Sequence, residues 1–244
     1  MNLPIGTIAN VATVIVGTVI GALAGRRFPE SLRGTVMATL GLSTAAIGVR
    51  ELLPTQEFPL VLGAVLVGTV IGELLRIEAG LHRLGESLQR RFTPVAAVTE
   101  VEVPEVVAPV AHRSRFGEGF VVASLVFCVG PLTIVGSIQD GLGDSELLLI
   151  KAALDGFASI AFAAVYGWGV MAAALTVLVI QGGIALAAGT LDGLLTDEMV
   201  DGLGAAGGIM LLGISLRLLD LKQVKVANML PAVVVAPLFV KWWG

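Results

Sequence analysis

Charge is what this 244-residue chain has least of: Asp, Glu, Lys and Arg together make up 14% of it, against about 25% in an ordinary soluble domain. So few charges cannot cover a globular surface with polar groups, which excludes a free-standing soluble fold. Cysteine is nearly absent. Cys128 stands alone, so no intramolecular disulfide and no thiolate metal cluster can form. Histidine is limited to His82 and His112, and both lie outside the apolar runs and read as solvated. There is no HExxH, no phosphate-binding P-loop and no GxSxG. No enzyme chemistry, cofactor, metal or nucleic-acid partner is therefore expected, and the missing P-loop speaks against an ATP-driven pump in one chain. Aromatics are also scarce, at 5%.

What is present is apolar and small. Hydrophobic residues make up 56% of the chain and glycines number 31. The apolar residues come in long runs, not in alternation, which favours helices over strands. A bilayer crossing needs ~20 such residues, or somewhat fewer where the membrane thins. Lipid tolerates only structures that satisfy their own backbone. The expected fold is an all-α integral membrane protein of seven to eight transmembrane helices. Eight candidate spans fall near 5–25, 34–49, 58–75, 119–138, 147–166, 170–190, 202–216 and 226–242. No cleavable signal peptide is apparent, because Met1 to Gly6 lacks a basic segment and the first run is long enough to span.

Loop charges set an expected orientation. Arg26, Arg27 and Arg33 follow span 1; Arg76, Arg83, Arg90, Arg91, Arg113 and Arg115 follow span 3; Arg217, Lys222 and Lys225 follow span 7. With eight spans these loops share one side. The other side carries Asp140, Asp144 and Glu146 in one loop and Asp192, Asp197, Glu198 and Asp201 in another. This predicts a bacterial cytoplasmic (inner) membrane protein with both termini outside. Arg50 and Lys151 are the exceptions on the outer side.

Four segments are expected: a three-helix repeat at 1–77, a cytoplasmic amphipathic helix with a flexible linker at 78–118, a central helix pair at 119–169, and a second three-helix repeat at 170–244. Leu81 to Phe92 reads as a basic amphipathic surface helix. Pro94, Pro104 and Pro109 punctuate the Val- and Glu-rich linker that follows. Spans 2 and 7 both look short and glycine-interrupted, with Gly41 nine residues before Arg50 and Gly208 nine before Arg217. Spans 1–3 and 6–8 would then be inverted copies, the arrangement that frames many transporter sites. The glycine ladder Gly17, Gly21, Gly25, and the pairs Gly68/Gly72 and Gly204/Gly208, suit close helix packing. They would also permit a homodimer, and lining a pore is the alternative.

The polar residues inside the spans carry the functional reading. Asp155, near the middle of span 5, shares a helical face with Lys151 and Ser159 at four-residue spacing. A charge at such depth costs about 2.5–3.5 kcal/mol on insertion scales. The stripe either lines a substrate or ion pathway at the bilayer midplane or is a structural ion pair with Lys151 snorkelling outward. Span 4 carries Gly130-Pro131, and a proline there frees carbonyls that need partners. Ser137 lies further along it, with Gln139 and Asp140 at its outer mouth. Asn10, Gln181 and Asn228 are placed to bond across helices, with Asn10 and Asn228 counted as candidate pathway residues.

These residues carry a resemblance. Gly6-Thr7-x-x-Asn10 with its glycine ladder, Phe127-Cys128 leading to Gly136–Gly141, Lys151-x-x-x-Asp155, and Asn228-Met229-Leu230-Pro231-Ala232 together resemble the bacterial membrane proteins grouped as domain of unknown function family 554. Some members are described as candidate membrane transporters, so the resemblance implies a transport role without naming a substrate. The expected function is a transporter or channel-like permease for a small solute or ion. The alternative is a non-transporting membrane scaffold or sensor.

Overall fold

The computed structural model describes residues 3–25, 27–92, 115–191 and 193–244. The expected linker at 93–111 lies outside the described residues. Eleven helices follow one another among the described residues: α1 (Ile5–Gly25), α2 (Glu30–Leu52), α3 (Phe58–Leu75), α4 (Ile77–Phe92), α5 (Arg115–Cys128), α6 (Pro131–Leu142), α7 (Glu146–Tyr166), α8 (Gly169–Leu186), α9 (Ala188–Leu191), α10 (Asp197–Leu218) and α11 (Ala232–Trp243). A 3-10 turn at Val226–Met229 leads into α11. Seven spans are long and apolar enough to cross a membrane. An eighth crossing is made by α5 and α6, which meet at a 65° bend. The chain is a multi-pass α-helical membrane protein.

Contacts show that the bent pair crosses fully. α5 begins beside the end of α7, where Gly119 meets Tyr166 and Gly169 meets the Phe116 backbone. α6 finishes with Asp140 at the first residues of α1. Eight crossings therefore alternate, and Leu3 and Gly244 lie at the same end of the bundle. That end carries Asp144, Glu146, Asp197, Glu198 and Asp201 and is called the acidic end below; Arg76, Arg115, Arg217, Lys222 and Lys225 mark the basic end.

Lipid is as apolar as leucine, so close backbone approach and hydrogen bonds must hold these helices together. α1 supplies the approach with its glycine ladder. Gly17, Gly21 and Gly25 sit against the carbonyls of Gly156, Ile160 and Ala164 on α7. Partners advance in step, so α1 and α7 run parallel. A side chain on any of the three would overlap backbone. Gly68 and Gly72 do the same for α3, against Ala232 and Asn228. α2 crosses α10 where Gly48 and Gly208 lie against each other's carbonyls. The ladders are packing surfaces and do not line a pore.

Spans 2 and 7 are not short. α2 has 23 residues and α10 has 22. Helical bonding outlasts the apolar run at both, because polar residues continue the helix: Arg33 reaches back to the Gly25 carbonyl at 2.7 Å, and the Thr196 hydroxyl caps α10 by accepting from Met199 N–H at 3.3 Å. The amphipathic helix also starts earlier than expected, at Ile77 instead of Leu81, and α5 takes up Arg115–Glu118 from the expected linker. The first three spans do not pack chiefly on each other. α1 lies on α7 and α8, α2 on α10, and α3 on α11. The core centres on α5, whose Phe120 and Phe127 pack among Val14, Phe162, Val170, Met210 and Ile214.

Candidate functional site

α7 presents Lys151, Asp155 and Ser159 on one face, as their spacing requires. Lys151 is 6% and Asp155 is 7% exposed, so both charges have left water. The ammonium of Lys151 donates to Asp155 Oδ2. Asn10 Nδ2, from α1, donates to the same oxygen at 2.9 Å and to Gln181 Oε1, from α8, at 3.2 Å. Ser159 Oγ turns back to the Asp155 carbonyl at 2.7 Å. Three helices thus converge on one ion pair. Two atoms of the group are left over: Asn10 Oδ1 and Gln181 Nε2 are buried and have no hydrogen-bond partner in the protein. The carboxylate fixes the orientation of both amides. Asp155 can only accept, so it takes the NH2 of Asn10, and that NH2 in turn selects the oxygen of Gln181.

The helix break completes the arrangement. Gly130 takes φ 133°, a backbone region natural only to glycine, and Pro131 opens α6. The carbonyl of Phe127 loses its helical partner at the end of α5. Lys151 Nζ fills that need at 2.8 Å, and Thr133 Oγ1 donates to the same oxygen at 3.1 Å. Lys151 therefore bridges a carboxylate and the negative end of a half-helix dipole. Expected features of spans 4 and 5 meet here as one structure.

The remaining candidates fall elsewhere. Pro131 lies at the break, against Gly204 of α10. Ser137 bonds the Thr133 carbonyl within α6. Asp140 is fully buried, but it is no open mouth. Its oxygens accept from Gly6 N–H (2.8 Å), Thr7 N–H (2.9 Å), Thr7 Oγ1 (2.9 Å) and Ser145 Oγ (2.6 Å). It caps the start of α1 from another helix, satisfying donors that a helix start cannot satisfy itself. Gln139 is half-buried beside it, and its carbonyl accepts from Asp144 N–H at 2.9 Å. Asn10 stands five residues into α1, roughly 8 Å of helical rise from its start. Asp155 is the tenth of the 21 residues of α7, beside its midpoint, so the site reaches from the middle of the bundle toward the acidic end.

Asn228 belongs to a second cluster at the basic end. It donates to Glu73 and accepts from Glu78 N–H at 2.7 Å. Glu78, on α4, receives Arg217 Nη1 at 3.1 Å and Ala227 N–H at 2.9 Å, with His82 Nε2 at 3.5 Å. Burial alone would raise the Glu78 carboxyl. The bond to His82, the charge of Arg217 and the Ala227 N–H outweigh it and hold the carboxyl below its ordinary value. His82 is therefore half-buried beside Glu78 and not freely solvated; His112 lies outside the described residues. The sequence did not disclose this cluster, because Arg217 and Glu78 read as ordinary flanks of their helices. Gln181 was visible as a polar residue in an apolar run, but its place beside the ion pair was not.

Residues 5–241 match the family described as Protein of unknown function (DUF554). The Escherichia coli K12 protein named Uncharacterized protein YqgA is 32% identical over 240 residues, covering 98% of this chain and 97% of its own. The Bacillus subtilis 168 protein named Uncharacterized membrane protein YdfK is 27% identical over 240 residues, covering 96% and 95%. No solved structure matches. The chain belongs to the DUF554 family.

Proposed function

We propose that this member of the DUF554 family is a transporter for a small solute or ion, working from the buried Lys151–Asp155 site. The observation that carries the reading is the pair itself, held inside a membrane protein beside a broken helix and two idle amide atoms. Ionisable groups at such depth mark pathways far more often than they serve packing, since apolar residues pack there without the insertion penalty. Broken helices with unwound carbonyls are the usual wall of such sites. The contacts α1–α8, α2–α10 and α3–α11 each join a span to the one five crossings later, which fits inverted repeats.

Access is from the acidic end, toward which Asn10 lies. α6 is the gate. It swings about Gly130 and carries the first turn of α1 with it, because Asp140 stays bonded to Gly6 and Thr7. That movement uncovers Asn10 one turn below. By the loop charges, the acidic end faces outside a bacterial cytoplasmic membrane and the basic end faces the cytoplasm.

The test is flux into proteoliposomes, with alkali ions, protons and small organic solutes screened in turn. Asp155→Asn is expected to remove the flux while leaving a monodisperse protein. A scaffold whose ion pair only holds helices would give no flux under any condition, and that result sinks the proposal.

A further inference from the structure

We infer that the solute is a small zwitterion of the amino-acid type, bound between Lys151, Asp155, Asn10 and Gln181. This rests on the transport reading above. The four groups form a matched set. Asp155 and Asn10 Oδ1 accept; Lys151 Nζ and Gln181 Nε2 donate. One acceptor and one donor already face each other as the ion pair, and the other two atoms are idle although both residues are fully buried.

Charge balance decides the ligand class. The site holds one cation and one anion, and the groups around them are otherwise neutral: Phe127 O on Lys151, Asn10 on Asp155, and Gln181 on Asn10. A solute with one charge would leave an unbalanced charge far from water, which is the expensive case. A zwitterion exchanges one ion pair for two. Its ammonium takes Asp155 and Asn10 Oδ1, and its carboxylate takes Lys151 and Gln181 Nε2. Net charge stays at zero throughout, and the two idle atoms gain partners. Size is limited by the surroundings, where Thr13 Oγ1 joins α1 to α7 by donating to the Ala152 carbonyl at 2.7 Å and Gly156 abuts Thr13. Glycine, alanine and serine fit this limit better than larger side chains.

The experiment measures uptake of labelled glycine, L-alanine and L-serine by proteoliposomes, against sodium, methylammonium and acetate, with and without an imposed membrane potential. Expected is Asp155-dependent uptake of the zwitterions alone, unchanged by potential. Gln181→Leu should raise the KM for glycine by about tenfold, the loss of one hydrogen bond to a charged group. Asp155-dependent flux of sodium, methylammonium or acetate instead of the zwitterions overturns this inference and keeps the transport reading. Absence of any flux overturns both. Glycine uptake with an unchanged KM in a well-folded Gln181→Leu protein removes the assigned receptor, and the idle atoms then serve bound water only. The wild-type selectivity needs no variant, so the test survives a misfolded substitution.

Discussion

Two buried aspartates grip α1, and they do so differently. Asp140 takes four donors, two of them backbone N–H groups, and no charge. Asp155 takes two donors on one oxygen, and one of them is a lysine. A carboxylate has about four lone-pair sites. Asp140 is saturated by neutral partners that stay put, which is how a fold uses a carboxylate as a cap. Asp155 is undersaturated, paired with a lysine that also serves the Phe127 carbonyl, and set beside two idle amide atoms. The comparison teaches that saturation, more than depth or charge, separates a structural carboxylate from one with capacity to spare.

The largest effect expected comes from breaking the charged member of the comparison. Lys151→Met leaves the Asp155 charge without its counter-ion and the Phe127 carbonyl with Thr133 alone, and losing one partner of a buried pair costs about 3–5 kcal/mol. The protein should lose most of its thermal stability in detergent. Combining it with Asp155→Leu removes the stranded charge and should restore most of that stability without restoring flux. A double variant as unstable as the single one would mean that the pair is structural, as Asp140 is.

Asp140→Ala comes next. It leaves buried N–H groups of Gly6 and Thr7 without a partner, for an expected loss of about 2–4 kcal/mol. Hydrogen exchange should show the first turn of α1 opening before the rest of the bundle. If Asp140→Ala left stability unchanged and altered flux instead, the two aspartates would have exchanged roles.

The Glu78 cluster tests the same rule under acid. Its carboxyl is held below the ordinary value of 4.5, so its contribution is complete above that pH and fades as pH falls through the lowered value. Arg217 and His82 face it, Glu118 lies against Arg217, and Asn228 links it to Glu73, which pairs with Lys225. Acidification should loosen α4 from the start of span 8, which hydrogen exchange of the Ala227 N–H, donated to Glu78, would follow once scaled to the intrinsic exchange rate at each pH. Protection independent of pH down to pH 3 would contradict the cap.

Much of this was legible in the sequence, and the limits are physical. Span 3 reads at its full extent because Glu57 and Arg76 bound an apolar run interrupted only by Glu73 near its end. The break at Gly130-Pro131 and the Lys151–Asp155–Ser159 face also read directly, since both depend on local spacing. The lengths of α2 and α10 did not, because helices there continue through charged residues that composition assigns to loops. Asp140 was misplaced for a different reason. Its partners Gly6 and Thr7 lie more than a hundred residues away, and no local pattern announces a cap supplied from another helix. The same distance hid Gln181 and the Glu78–Arg217 pair.

The smallest effects make the sharpest contrast. Thr7→Val removes one of the four donors on Asp140 and leaves that oxygen with a backbone partner, for an expected loss of about 1 kcal/mol. Gln181→Leu also removes one hydrogen bond, the one from Asn10 Nδ2. Yet Asn10 Nδ2 keeps Asp155, and the substitution erases a buried donor that has no partner. Loss and gain then nearly cancel, so stability should shift by less than about 0.5 kcal/mol. Matched thermal melts in one detergent decide the matter. If Gln181→Leu destabilises as much as Thr7→Val or more, the Gln181 amide is a working part of the fold. A near-neutral Gln181→Leu shows instead that the fold carries this amide without needing it.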